Sequence, residues 1–248
     1  MNLFVPARRY DRDSPEMIDN PKADPDLLRD ELKSIRTINK FFGGFSAIRR
    51  GILTLLDNER DGSEIHILDL GTGSADLPVY LVGIGGQLRK KFTITAVDNH
   101  PAVLRVAREQ THGAANVTIE QADILNLKYP PGAFDIVLCS LTLHHFSPEE
   151  VIAILRSMKR LSRIGFVVND LRRSRISAWA TWLYIHLTTT NVMTLTDSYL
   201  SVLRGFTAEE MKRMAEQGGI QKFEIKRKAF FRLLLVGKHN ESPGKIPS

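Results

Sequence analysis

The sequence predicts an α/β fold built on a mostly parallel sheet, and three observations carry that expectation. Short apolar, β-rich runs alternate with segments of helical periodicity from residue 65 to about 170. The first run ends in a glycine turn, Gly71-Thr72-Gly73, that opens a helix. The last two runs lie too close in sequence to be parallel neighbours, which need a crossover, so they pair as an antiparallel hairpin.

Taken in order, residues 1–26 are rich in Pro, Asp and Arg and read as an extended, partly mobile arm. From Pro25 the pattern turns helical. Asp26 is placed to cap it, and Leu27, Leu28, Leu32, Ile35 and Ile38 recur at helical spacing. The Phe41-Phe42-Gly43-Gly44-Phe45 segment breaks that helix, and residues 47–56 form a second. Strands are expected at 65–70, 92–97, 117–121, 134–139 and 164–168. Helices follow the first two strands, from about Ala75 and from Pro101, and Ser147 with Glu150 makes a capping box for the one running to Leu161. Thr207 caps the last helix, which Gly218-Gly219 stops before strands at 222–227 and 230–237.

This organisation is one domain. Residues 1–60 supply the arm and two helices that cap the substrate, 61–240 the α/β domain, and 241–248 a disordered tail. Residues 171–205 are an insertion carrying Trp179, Trp182, Tyr184 and His186. Because it starts at a strand's C-terminal end, where open α/β sheets bind ligands, it reads as a helical lid.

The 248 residues are 43% hydrophobic and 25% charged, which suits a globular protein. The net charge of +6 is spread over short clusters such as Arg8-Arg9, Lys90-Lys91, Arg172-Arg173 and Lys226-Arg227-Lys228, read as solvated. The single cysteine, Cys139, excludes an intrachain disulfide and lies in an apolar run, as a buried strand thiol would. With no secretory pattern and no run of about 20 apolar residues, the expected location is cytoplasmic.

The chemistry concentrates at strand ends. Gly71 and Gly73 let the backbone approach a ligand, but the third glycine of a dinucleotide fingerprint is replaced by Asp76. Asp69, just before the turn, would repel a pyrophosphate and favour a cationic sulfonium cofactor that bears an amino acid. Asp98 ends the second strand, where a carboxylate accepts two hydroxyls of a ribose. Asp123, at the end of the third, can take an adenine amino group while Ile124 and Leu125 pack on the ring.

These segments resemble class I S-adenosylmethionine-dependent methyltransferases. ILDLGTGSADLP is similar to the family's first motif, VDNHPAVLRVARE to its second, QADIL to its third, and FDIVLCSLTLHHF to its fourth strand and following loop. The likeness runs from about residue 65 to 170. It implies a doubly wound, seven-stranded, mostly parallel sheet whose last strand is antiparallel. The N-terminal helical extension and the helical insertion after the fifth strand complete the expected fold, with the segments before Pro25 and from Leu171 to Gly205 outside the shared core. It also implies S-adenosylmethionine as cofactor. Asp69, Gly71, Gly73 and Asp76 would lie at its amino acid end, Asp98 and Asn99 at the ribose, Asp123 and Ile124 at adenine, and Thr142 and Leu143 beside the sulfonium. The LHHF loop is similar to that of quinone-biosynthesis and other small-molecule members. The Pro-Pro signature of nucleic-acid amino-methyltransferases is absent from it, so a nucleic-acid partner is not expected.

Methyl transfer is an in-line displacement that asks mainly for positioning and, where the acceptor is protonated, for a base. His145 is favoured over His144 for that role, with Asp170 next; His186, Tyr184 and Arg204 are candidates for acceptor contact. The two adjacent histidines lack a local third ligand, so no metal is expected. Trp179, Trp182, Phe206, Phe41, Phe42 and Phe45 are candidates to line a pocket for an aromatic or lipid-like acceptor, a phenol, quinol or polyketide. The alternatives are an RNA or protein methyltransferase docking through the basic arm, a non-catalytic S-adenosylmethionine-binding regulator, and a nicotinamide oxidoreductase.

Overall fold

The computed structural model describes residues 5–11, 13–20, 22–57 and 59–239. The tail expected at 241–248 lies outside them. Two helices, α1 (Pro25–Phe41) and α2 (Gly44–Leu55), precede β1 (Glu64–Leu70). There follow α3 (Asp76–Ile84), β2 (Lys91–Asp98), α4 (Pro101–Gln110), β3 (Val117–Gln121) and β4 (Phe134–Ser140). The chain continues through α5 (Pro148–Leu161), β5 (Ser162–Leu171), α6 (Arg175–Thr188), α7 (Val192–Arg204), α8 (Ala208–Gln217), β6 (Phe223–Lys228) and β7 (Arg232–Lys238).

The seven strands lie in the order β3-β2-β1-β4-β5-β7-β6. β1 pairs parallel with β2 and β4, β2 with β3, and β4 with β5, while β7 runs antiparallel to both β5 and β6. Only residues 229–231 separate β6 from β7, a link that permits a hairpin and not a crossover. Both faces of the sheet are covered, which is why the central strands are nearly uniformly apolar. Leu68 and Leu70 pack with Val151, Leu155 and Met158 of α5 and Met211 of α8 on one face. Ile65 and Ile67 pack with Ile48 and Ile52 of α2 and Leu81 of α3 on the other.

The capping boxes form as their sequences require, Ser147 with Glu150 on α5 and Thr207 with Glu210 on α8. The cap of α1 is Asp24, not Asp26: its Oδ1 accepts the N–H groups of Asp26 and Leu27. Pro25 decides this, because its missing N–H and fixed φ suit the first helical position and put the cap one residue earlier.

The insertion is a helical pair. α6 and α7 pack on each other, and α7 also meets α1 and the single 3-10 turns at Met17–Asp19 and Leu143–His145. The arm is extended and anchored along α7. Arg9 N–H donates to Leu203 O at 3.1 Å, and the N–H groups of Met17 and Ile18 each donate to the Asp197 carboxylate at 2.9 Å. No helix among the described residues is long and apolar enough to cross a membrane.

Candidate active site

The C-terminal ends of β1 to β5 open into one cavity of about 610 Å³. The turn after β1 is built by two left-handed glycines, Gly71 at φ 66° and Gly73 at φ 58°. A Cβ on residue 71 would collide with the Thr142 side chain, whereas one on residue 73 would meet nothing within 4 Å. Gly71 therefore serves packing, and Gly73 leaves space on the ligand side. Gly73 N–H donates to Asp98 Oδ2 at 3.1 Å and His100 N–H to Oδ1 at 3.0 Å, so β2's terminal carboxylate is fixed by the neighbouring turn.

Asp69 is 2% exposed, and burial pushes its carboxyl up to about 7; the Thr72 hydroxyl opposes the shift and Asp98 adds to it. Burial also raises Asp98, against three backbone N–H groups led by those of His100 and Gly73. Asp123 accepts Leu125 N–H at 2.9 Å, and Ile124 beside it is buried; both line the cavity, as does Asn99. Asp76 lines it too, but its carboxylate is already engaged by Arg36 of α1, by Gln110 Nε2 of α4 at 3.0 Å and by Ser74 Oγ at 2.6 Å.

Beyond β4 the expectations need correction. Leu143 is fully buried in the core under α5, and the residue that lines the cavity with Thr142 is Leu141, at φ 55°. The 3-10 turn is the cause, since it rotates Leu143 inward while presenting His144 and His145. His144 Nδ1 donates to Asp170 Oδ1 at 2.7 Å, with both side chains buried. His145 Nδ1 donates to Asp19 Oδ2 at 2.9 Å, and its Nε2 lies 3.9 Å from Glu16 Oε2. Burial works against charge on His145, but Glu16, Asp19 and Asp170 outweigh it and lift its pKa to about 9. These carboxylates favour the imidazolium form of His145 at neutral pH, which works against the role of base expected of it.

A carboxylate from a distant part of the chain does reach the histidine pair. Glu16, from the arm, brings a carboxylate oxygen to within 4.8 Å of ring nitrogens of both. Chain folding places it there; local spacing could not.

The far half of the cavity is apolar, lined by Ile35, Ile38 and Phe42 of α1, Phe45 of α2 and Tyr184 and Ile185 of α6, with Phe230 and Phe231 from the last turn. Phe42 packs edge-on against Tyr184 and Phe230 at centroid distances of 4.9 and 5.3 Å. The other aromatics expected here are elsewhere. Trp179 and Phe41 are 62% and 66% exposed, Trp182 also faces outward, and Phe206 belongs to the core. His186 is exposed and donates to Trp182 O at 2.8 Å, and Arg204 is buried in an ion pair with Glu16 at 3.4 Å.

Sequence reasoning missed Glu16, Asp19 and Arg232. Arg232 is 1% exposed and lines the apolar half. Its Nη2 donates to Asn39 Oδ1 at 3.3 Å, while Nε and Nη1 meet no acceptor among the described residues. It was legible only as a charge inside an apolar run, FFRLLLV. Several clustered cations also prove internal rather than solvated. Arg8 donates to Arg204 O at 2.7 Å and Phe146 O at 2.8 Å, Arg173 pairs with Glu210 at 2.6 Å, and Lys90 donates to Glu59 O at 2.9 Å.

Parallel strands ending in carboxylates around a glycine turn, with an antiparallel seventh strand, define an α/β protein with its cavity at the strand ends, where open α/β sheets bind ligands. A family model described as a methyltransferase domain matches residues 67–165. Residues 67–165 are thus similar to a methyltransferase domain, and the chain has the class I S-adenosylmethionine-dependent methyltransferase fold. It is 29% identical over 151 residues to the ribosomal protein L11 methyltransferase of Pelobacter propionicus, covering 53% of this chain and 47% of that one. It is 27% identical over 167 residues to the ubiquinone/menaquinone biosynthesis C-methyltransferase of Azotobacter vinelandii, covering 65% and 58%. The chain thus spans about half the length of the curated relatives it matches. A solved S-adenosylmethionine-dependent methyltransferase from Aquifex aeolicus shares the fold at TM-score 0.61 and 16% identity, over 87% of this chain and 98% of that one.

Proposed function

We infer that the protein transfers the methyl group of S-adenosylmethionine to a small, largely apolar acceptor. The observation that carries this is the meeting of three strand ends on one cavity. Asp69 with Gly73, Asp98 with Asn99, and Asp123 with Ile124 line it in the order an amino acid, a ribose and an adenine require. The apolar half takes the acceptor. It is enclosed by α1, α6 and the last turn, which suits a small molecule better than a protein or RNA surface. The internal bonds of Arg8 also remove part of the charge that a docking arm would need.

The acceptor's nucleophile meets the methyl group at the end of the cavity where His144, backed by Asp170, faces it. At the other polar point, Nε and Nη1 of Arg232, without an acceptor among the described residues, are matched by an acceptor oxygen, best a carboxylate. Aromatic or polyketide-like acids with a nucleophilic hydroxyl fit both requirements.

Calorimetric titration with S-adenosylmethionine and S-adenosylhomocysteine tests the reading. Micromolar binding is expected, weakened at least tenfold by Asp98→Ala. No binding by the folded protein would overturn it.

A further inference from the structure

Two histidines and a carboxylate from distant parts of the chain converge where the acceptor would react. One ligand-capable atom from each of Glu16, His144 and His145 lies within 4.8 Å of the other two, and all three residues line the cavity. Each histidine gives its Nδ1–H to a carboxylate behind it, His144 to Asp170 at 2.7 Å and His145 to Asp19 at 2.9 Å. That leaves Nε2 of each as the nitrogen open to an ion, which on His145 takes the place of the proton that Glu16, Asp19 and Asp170 favour there. A histidine that ligates a metal nearly always donates its other ring nitrogen this way, which fixes the tautomer and raises its basicity. Two such pairs side by side, with a third carboxylate, form a two-histidine, one-carboxylate face with open positions. Glu16 is itself oriented from behind, by Ser201 Oγ at 2.7 Å and Arg204 Nη1 at 3.4 Å.

We propose that Glu16, His144 and His145 bind a divalent transition-metal ion, of zinc or manganese type, whose open positions take an oxygen of the acceptor. Ligand atoms around such an ion, with bonds of about 2.0–2.1 Å, lie roughly 3–3.5 Å apart. The site therefore closes by about an ångström on loading, within reach of side-chain rotation and of the arm that carries Glu16. Three carboxylates, Glu16, Asp19 and Asp170, surround the position, and Arg204 is the cation bonded directly to one of them. The balance favours an added positive charge.

The chemical role rests on the methyl-transfer reading above. A hydroxyl oxygen bound to the ion loses its proton to water at neutral pH. Its lone pair then forms the new O–CH₃ bond as the S–CH₃ bond breaks, and that electron pair stays on sulfur to give the neutral thioether. The resulting ether is a weaker ligand than the oxyanion and is released. The acceptor class that follows is a phenol or enol with a second oxygen near enough to chelate, methylated on oxygen.

The test needs neither acceptor nor cofactor. Chelator-stripped protein is titrated with Zn²⁺ by calorimetry and with Co²⁺ by visible absorption. One ion per chain at micromolar or tighter affinity is expected, weakened at least tenfold by Glu16→Gln and by His144→Asn. Should His144→Asn melt early, Glu16→Gln, placed on the arm, carries the comparison. Asp98→Ala is expected to abolish S-adenosylmethionine binding and keep the ion, so the two readings fail separately. Less than one ion per folded chain, or binding indifferent to both substitutions, would overturn the site.

Discussion

Asp69 couples the chemistry of the cofactor site to pH. Its folded pKa of about 7 lies above the ordinary carboxylate value, so between about pH 4 and 7 the folded chain binds more protons than the unfolded one. The contribution of Asp69 to stability is therefore present at low pH and lost as pH rises towards 7. A cofactor ammonium reverses this, because it pairs with the ionised form. Affinity for S-adenosylmethionine is expected to rise about fivefold from pH 6 to pH 7 and then level. It falls again as the ligand's amino group loses its proton near about 8. Calorimetry across that range checks it, with Asp69→Asn expected to flatten the acid limb; an acid limb unchanged in Asp69→Asn would acquit Asp69. The glycines beside it separate packing from binding. Gly71→Ala meets both an unfavourable φ and the Thr142 side chain, so a clear drop in melting temperature is expected. Gly73→Ala meets only the backbone cost, about 1 kcal/mol, yet should weaken cofactor binding at least tenfold by filling ligand space. Equal effects of the two on both measurements would contradict this division.

At the scale of elements, most of the strand ends were legible because apolar runs stop at a carboxylate, as at Asp98 and before Asp123. β5 was read short. Asn169 and Asp170 look like a loop, but they continue the ladder opposite Leu234 and Leu233 of β7, a pairing invisible until the hairpin is placed. α6 shows a different limit. It is apolar on more than one side, so periodicity could not tell that Ala180, Thr181 and Tyr184 face the cavity while Trp179 faces out. The arm was the least readable element, since its attachment uses backbone N–H groups and the Asp197 side chain rather than an apolar stripe. Asp197→Ala leaves two N–H groups of the Met17–Asp19 turn without their acceptor, at a cost of about 1–3 kcal/mol. Hydrogen exchange should show Met17 and Ile18 losing protection while α5 keeps it. Unchanged protection at those two amides would mean that the arm is held by something else. Because the arm carries Glu16 and Asp19, its release should also loosen the end of the cavity where His145 sits.

Over the whole molecule, the sheet supplies two kinds of strand end to one cavity: parallel strands that present carboxylates, and an antiparallel last strand that presents a guanidinium. Arg232 opens β7 fully buried, with Asn39 as its hydrogen-bond partner and with Nε and Nη1 meeting no acceptor among the described residues. Burial pulls its pKa down to about 10, only partly opposed by Asp170. A charge left unpaired in an apolar wall costs stability in the empty protein, and replacing such a group by an apolar one of similar volume is often neutral or stabilising by about 1–4 kcal/mol. Arg232→Met is therefore expected to hold or raise the melting temperature of the ligand-free protein. The same substitution should abolish any thermal stabilisation by benzoate, used as a minimal aromatic carboxylate, while leaving binding of S-adenosylmethionine within twofold. A variant that melts well below the parent would make Arg232 a structural brace. A variant that keeps its response to benzoate would place the acceptor's anion elsewhere. If instead stability is held while the carboxylate is lost, the fold retains a destabilising charge at the cavity wall because the acceptor completes it.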